Sequence, residues 1–72
     1  MLIGQRLKQF RLDAGYSQRT LADQINVSRQ VISKWETDKS APDLNMVVAL
    51  AKLDNVPLNT LLGVETATKA NF

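Results

Sequence analysis

Ile3, Leu7, Phe10 and Ala14 recur at spacings of four, three and four, which places them on one stripe of a helix. Gly15 ends that stripe. Further along, short segments with helical spacing are each followed by Asn26, Asp38, Asn55 or Gly63, residue types that tolerate the left-handed backbone past a helix end. These stops predict five helices, over residues 2–14, 18–25, 29–36, 44–54 and 58–62. The starts agree. Ser17, Ser28 and Asp43 are good N-caps, each with a side-chain oxygen able to accept from an amide of the next turn. An apolar residue before each is placed to staple the entry, Tyr16 on Leu21, Val27 on Ile32 and Pro42 on Val47. Pro57 suits the first turn of the last helix. No strand pattern competes, so the fold class is all-α.

The third helix has two opposed faces. At 100° per residue, Val31, Ile32 and Trp35 fall within about 100° of its circumference, and Arg29, Gln30, Ser33 and Lys34 within about 140° on the other side. Amphipathicity alone accounts for such a helix on any globular surface. Two features point further. The polar face carries no acid and offers residue types that read base edges, Arg and Lys for guanine and Gln for adenine. The helix also follows its predecessor after only Asn26, Val27 and Ser28, and two short helices joined by so short a turn form the arrangement in which the second enters the major groove of DNA.

In this register the chain resembles the Xre/Cro-type helix-turn-helix family, which includes the lambdoid phage repressors and Cro. The resemblance spans residues 3–63 through Ile3-Gly4 with Leu7 and Arg11, Gly15-Tyr16-Ser17-Gln18 with Leu21-Ala22, and Val27-Ser28-Arg29-Gln30. It continues through Ile32-Ser33-Lys34-Trp35-Glu36, Pro42-Asp43-Leu44, Leu50-Ala51-Lys52, and Val56-Pro57-Leu58 with Leu61-Leu62-Gly63. It implies a five-helix lambda-repressor-like DNA-binding domain over residues 1–63, with the helix-turn-helix in helices two and three. Residues 64–72 have no clear periodicity, which reads as a flexible tail or a link to something larger. It further implies that Arg29, Gln30 and Lys34 contact bases, that Gln18 holds a phosphate, and that Ser28, Ser33 and Lys39 lie near the backbone or groove edge. Capping alone also explains Ser28. Arg11 borders the apolar stripe of the first helix and Glu36 that of the third, and the family commonly pairs a basic and an acidic residue there, so a structural ion pair is expected. Three departures stand out. Asn26, Asp38 and Asn55 occupy helix ends where the family often has Gly, Thr20 replaces a common capping-box Glu, and Asp54 replaces a usually apolar residue.

Composition narrows the partners. Seven Lys or Arg face four Asp or Glu in residues 1–39, against two and three in residues 40–72, a weak local excess suited to a polyanion. The 72-residue chain has length for one core, and no apolar run approaches the roughly 20 residues that span a bilayer. With no His and no Cys there is no thiol nucleophile, imidazole base or common transition-metal ligand set, and the acids are scattered. The expectation is a cytoplasmic protein, bacterial or phage-encoded, that binds double-stranded DNA, is not an enzyme and needs no cofactor or metal. The small-molecule effector, if one exists, cannot be named from these residues.

The fourth helix is apolar on nearly every side, with Leu44, Val47, Val48 and Ala51 on one face and Met46, Ala49, Leu50 and Leu53 on the other. Two coverings for the second face are open. The fifth helix and tail can close it within one chain, or a second copy can, through Met46, Leu53, Leu58, Leu61, Leu62 and Val64. A homodimer would set two recognition helices about 34 Å apart and read an inverted repeat. A protein-binding role, as an antitoxin or adaptor component, is the rival function for the same fold.

Overall fold

The predicted caps are made. In a computed structural model that describes residues 3–63, Ser17 Oγ, Ser28 Oγ and Asp43 Oδ1 accept from the amides of Thr20, Val31 and Met46 at 3.0, 3.2 and 2.9 Å. They open α2 (Gln18–Ile25), α3 (Arg29–Glu36) and α4 (Leu44–Asp54), which follow α1 (Gly4–Asp13) and precede α5 (Leu58–Leu62). Among the described residues there is no strand. Thr20, where a capping-box Glu is common, accepts from the Ser17 hydroxyl at 2.9 Å instead of from the Ser17 backbone amide. Pro57 sits one place earlier than expected, as the N-cap of α5. The expected flexible tail and Val64 lie outside the described residues.

All five predicted stops adopt positive φ: Gly15, Asn26, Asp38, Asn55 and Gly63. After the first four, the next amide reaches back five residues to close the helix, from Tyr16 to Arg11 O, Val27 to Ala22 O, Lys39 to Lys34 O and Val56 to Ala51 O, at 2.9 to 3.1 Å. This bond satisfies a carbonyl that the helix itself leaves without a donor. Tyr16, Val27 and Val56 also pack against the core from that position. Lys39 is the exception, being exposed.

The first helix differs from its sequence reading in two places. It starts at Gly4 instead of residue 2, because the Gly4 amide is taken by the Asp38 carboxylate at 2.9 Å. A Cβ at Gly4 would lie 2.5 Å from Glu36 O, so glycine is what lets α1 start against the end of α3. Ala14, expected on the apolar stripe, is the exposed C-cap, and Arg11 takes the buried place after Gly4 and Leu7. Arg6 was not singled out, yet its Nε and Nη2 donate to Leu61 O and Thr60 O at 3.2 and 2.6 Å, closing α5 against α1.

One core serves all five helices: Leu7, Leu21, Ala22, Ile32, Trp35, Val47, Leu50, Ala51 and Leu61. On α4 the inward stripe is Val47, Leu50 and Ala51, which cuts across the two faces read from sequence and leaves Leu44 68% exposed. Leu61 is 0% exposed, so it is a core residue and is withdrawn from the candidate dimer contacts. Met46, Leu53, Leu58 and Leu62 are half-buried against the core.

Asp54 takes an apolar residue's place at a cost. One of its carboxylate oxygens is buried and, among the described residues, has no hydrogen-bond partner. Desolvation raises its pKa above the ordinary 3.8. A carboxyl whose folded pKa is raised contributes stability that is full below its ordinary value and is lost as pH rises through the raised value. Asp54→Asn, which does not titrate, is therefore expected to gain on the wild type in urea midpoint as pH rises from acid to neutral. A difference that stays constant, or runs the other way, contradicts this account of Asp54.

Candidate nucleic-acid interface

Helix α3 is anchored by Ile32 and Trp35, which are 1% and 6% exposed, with Val31 half-buried beside them. That anchoring turns the rest of the helix outward. Arg29, Gln30, Ser33 and Lys34 converge with Thr37 and Lys39 around one open concavity of about 260 Å³, and no acid lines it. Five of these six were named from sequence. Thr37 was missed, because its hydroxyl is tied to the backbone, donating to Ser33 O at 2.8 Å, and nothing in its residue type marks it.

Lys39 reaches this surface through the helix ending described above. Its amide bonds Lys34 O at 2.9 Å and Asp38 precedes it at φ 61°, which fixes where the chain leaves α3. An apolar residue commonly occupies this position, to cover the last turn. A lysine there forgoes that packing and places a cation beside Lys34 and Arg29 instead. The first turn of α3 shows a similar preference. It contains no acid, and Arg29 stands at its first position although the helix macrodipole disfavours a cation there.

Ser28 is exposed and does not line the concavity, and its Oγ is occupied by the Val31 amide. Gln18 lies apart from the concavity and is half-buried. Its Nε2 donates to Glu36 Oε1 at 3.1 Å, and its Oε1 accepts from Arg29 Nη1 at 3.4 Å. Sequence placed Gln18 at the DNA surface alone; it did not show this link to the interior, because the partners are brought together only by the packing of α2 on α3.

Arg11 and Glu36 meet across the core. Arg11 Nε and Nη2 donate to Glu36 Oε2 and Oε1 at 2.6 and 3.1 Å, and Nη1 donates to Tyr16 O at 2.8 Å. Both residues are buried, at 6% and 8% exposure. The forked contact fixes α1 against the end of α3, and Tyr16 O ties the entry to α2 into the same guanidinium.

A family profile described as helix-turn-helix matches residues 7–61. The chain belongs to the helix-turn-helix family. It is 37% identical over 71 residues to the HTH-type transcriptional regulator ImmR of Bacillus subtilis, covering 99% of this chain and 56% of that protein. It is 35% identical over 65 residues to the HTH-type transcriptional activator BcrR of Enterococcus faecalis, covering 90% and 32%. It is 32% identical over 69 residues to the immunity repressor protein of Bacillus phage phi105, covering 96% and 48%. The chain thus spans about half or less of the length of these relatives. Among solved structures, the P22 c2 repressor protein in complex with synthetic operator 9T matches with a TM-score of 0.76 at 28% identity, over 85% of this chain and 92% of that one. The five-helix, lambda-repressor-like arrangement expected from sequence is the one found. The named relatives of this helix-turn-helix chain are regulators, and no helix of the described residues is long and apolar enough to cross a membrane.

Removing one partner of a buried ion pair strands the other's charge. Glu36→Ala is therefore expected to lower stability by about 3 to 5 kcal/mol, read from denaturant unfolding. An unchanged midpoint would remove the pair from its structural role.

Proposed function

We propose that residues 1–63 are a sequence-specific double-stranded-DNA-binding unit of a transcriptional regulator, one that acts as a repressor and as a homodimer on an inverted-repeat operator. The observation that carries this is the acid-free concavity at α3, where Arg29, Lys34 and Lys39 gather with Gln30, Ser33 and Thr37. Arg29, Gln30 and Lys34 are the base readers, whereas Ser28, Ser33 and Lys39 contact the phosphate backbone or the groove edge. The P22 c2 repressor's operator complex supports the partner. Relatives carry both repressor and activator names. Repression is favoured here because occlusion of a promoter needs only the bound unit, without a contact to polymerase. The site of action is the cytoplasm, at the nucleoid, on bacterial or phage DNA, and no catalytic step is involved.

For the homodimer, the support is the outward part of Met46, Leu53, Leu58 and Leu62, which α4 and α5 leave incompletely covered among the described residues. A protein partner in place of the second copy would use the same surface and leave α3 open, so it does not displace DNA binding.

Selection from random duplex DNA tests the proposal, with the winning duplex then compared with its scrambled version across salt. The winner is expected to bind far more tightly, and both to lose affinity steeply as salt rises, reporting phosphate neutralisation. Equal affinity for the two overturns sequence specificity. On the winning duplex, Arg29→Ala, Gln30→Ala and Lys34→Ala are each expected to relax preference at particular base positions, at a cost of about 1 to 3 kcal/mol. Weakening that is uniform across all duplexes for all three contradicts the division between base and backbone contacts. Sedimentation at high concentration, with and without the duplex, checks the dimer. Only monomer, with a single half-site occupied, speaks against it.

A further inference from the structure

Two carboxylates face one small cavity at the centre of the fold. It holds about 10 Å³, and Glu36 and Asp54 both line it. The other walls are Leu7 of α1, Leu21 of α2, Ile32 and Trp35 of α3 and Leu50 of α4. Glu36 is engaged, accepting two bonds from Arg11 and one from Gln18. Asp54 is not, because its buried oxygen has no hydrogen-bond partner among the described residues. No cation lines the cavity, and Arg11 spends its remaining contact on Tyr16 O. The other charged residues of α1 and α2, namely Arg6, Lys8, Asp13, Arg19 and Asp23, are exposed, as is Lys52 on α4. Helix α5 carries no charged residue. Among the described residues, Glu36 is therefore the other titratable group at this cavity.

An ionised Asp54 cannot be solvated in place. A cavity of that size admits one water at most, and a carboxylate against apolar walls with neither a donor nor a cation is strongly disfavoured. Two responses are open to it. Asp54 takes a proton and stays, or it keeps its charge and turns out to water. The second is within reach, because Asp54 is half-buried and is the last residue of α4, and helix ends fray at small cost. Turning out removes one wall from the cavity that Trp35 and Glu36 share, and so loosens α4 against α3.

We propose that Asp54 is a proton-responsive latch between α4 and α3, closed when its carboxyl is neutral and opened when it is charged. Burial raises the pKa of the closed state, so the closed state binds the proton more tightly and acid favours it. The closed latch packs Trp35 and Glu36, and with them the direction in which α3 presents Arg29, Gln30 and Lys34. Affinity for duplex DNA therefore falls as pH rises through the raised pKa of Asp54. The chain has no His, the side chain that ordinarily titrates near neutral pH, and its Lys and Arg stay charged there. The affinity arm of this proposal rests on α3 being the DNA-binding helix, as proposed above; the latch itself does not.

Trp35 is the single tryptophan of the chain, so its fluorescence reads the cavity without DNA. In the wild type its emission is expected to titrate together with the carbon-13 shift of the Asp54 carboxyl, at one midpoint above the ordinary carboxylate value. Asp54→Asn keeps the shape without the charge, and Asp54→Leu supplies the usual apolar residue. Both are expected to lose the transition. An emission with no transition at the Asp54 midpoint, or with the same transition in both variants, overturns the latch. On the selected duplex at constant salt, the wild type is expected to lose affinity several-fold relative to both variants as pH rises from acid to neutral. A ratio that stays constant overturns the coupling to DNA binding. If no duplex is selected, the DNA-binding reading fails, and the Trp35 titration alone decides the latch.

Discussion

Arg11 and Glu36 occupy the place where α1, the entry to α2 and the end of α3 come together, and taking two charges out of water costs several kcal/mol per ion before their attraction is counted. The cost is offset only if the geometry is well satisfied, and here it is. Glu36 accepts from Arg11 twice and from Gln18 once, and Arg11 places its remaining contact on Tyr16 O. An apolar pair of similar volume could fill the same space. It would not impose a direction. The forked contact fixes the orientation of α3, and with it the direction in which Arg29, Gln30 and Lys34 project.

Around that pair the helix ends do much of the positioning. Asp38 has two jobs: its backbone turns left-handed to stop α3, and its carboxylate caps α1 at Gly4. The end of the proposed reading helix and the start of the first helix are thereby one joint. Gly4 permits the close approach that this joint requires. Beyond it, Lys39 occupies the position that holds Tyr16, Val27 and Val56 at the other three endings of this type. Those three pack inward, and Lys39 lines the concavity.

Much of this was legible in the sequence because it is local chemistry. Ser17, Ser28 and Asp43 needed only the amides of their own helices, and Gly15, Asn26, Asp38, Asn55 and Gly63 needed only their tolerance of positive φ. The two faces of α3 followed from spacing. What escaped depended on partners distant in the chain. Asp38 read as a stop because Gly4 is 34 residues away. Arg6 gave no sign that it would close α5, 54 and 55 residues on. Leu61 looked like a surface leucine on a short helix until α1 and α4 enclosed it. Arg11 against Ala14 could not be decided by spacing, because the buried position on α1 is set by where Glu36 arrives. Gln18 was placed near DNA by resemblance, and its inward bond appears only once α2 and α3 are packed.

The anchored α3 and the joints at its two ends form a rigid base for one acid-free polar surface, while the partly covered apolar residues of α4 and α5 lie elsewhere on the fold. The most direct measurement of that division is an amide chemical-shift titration of the chain with the selected duplex. The account predicts that the largest changes fall on Arg29, Gln30, Ser33, Lys34 and Lys39. Changes centred on α4 and α5, or on the outer side of α1, with α3 undisturbed, would contradict it.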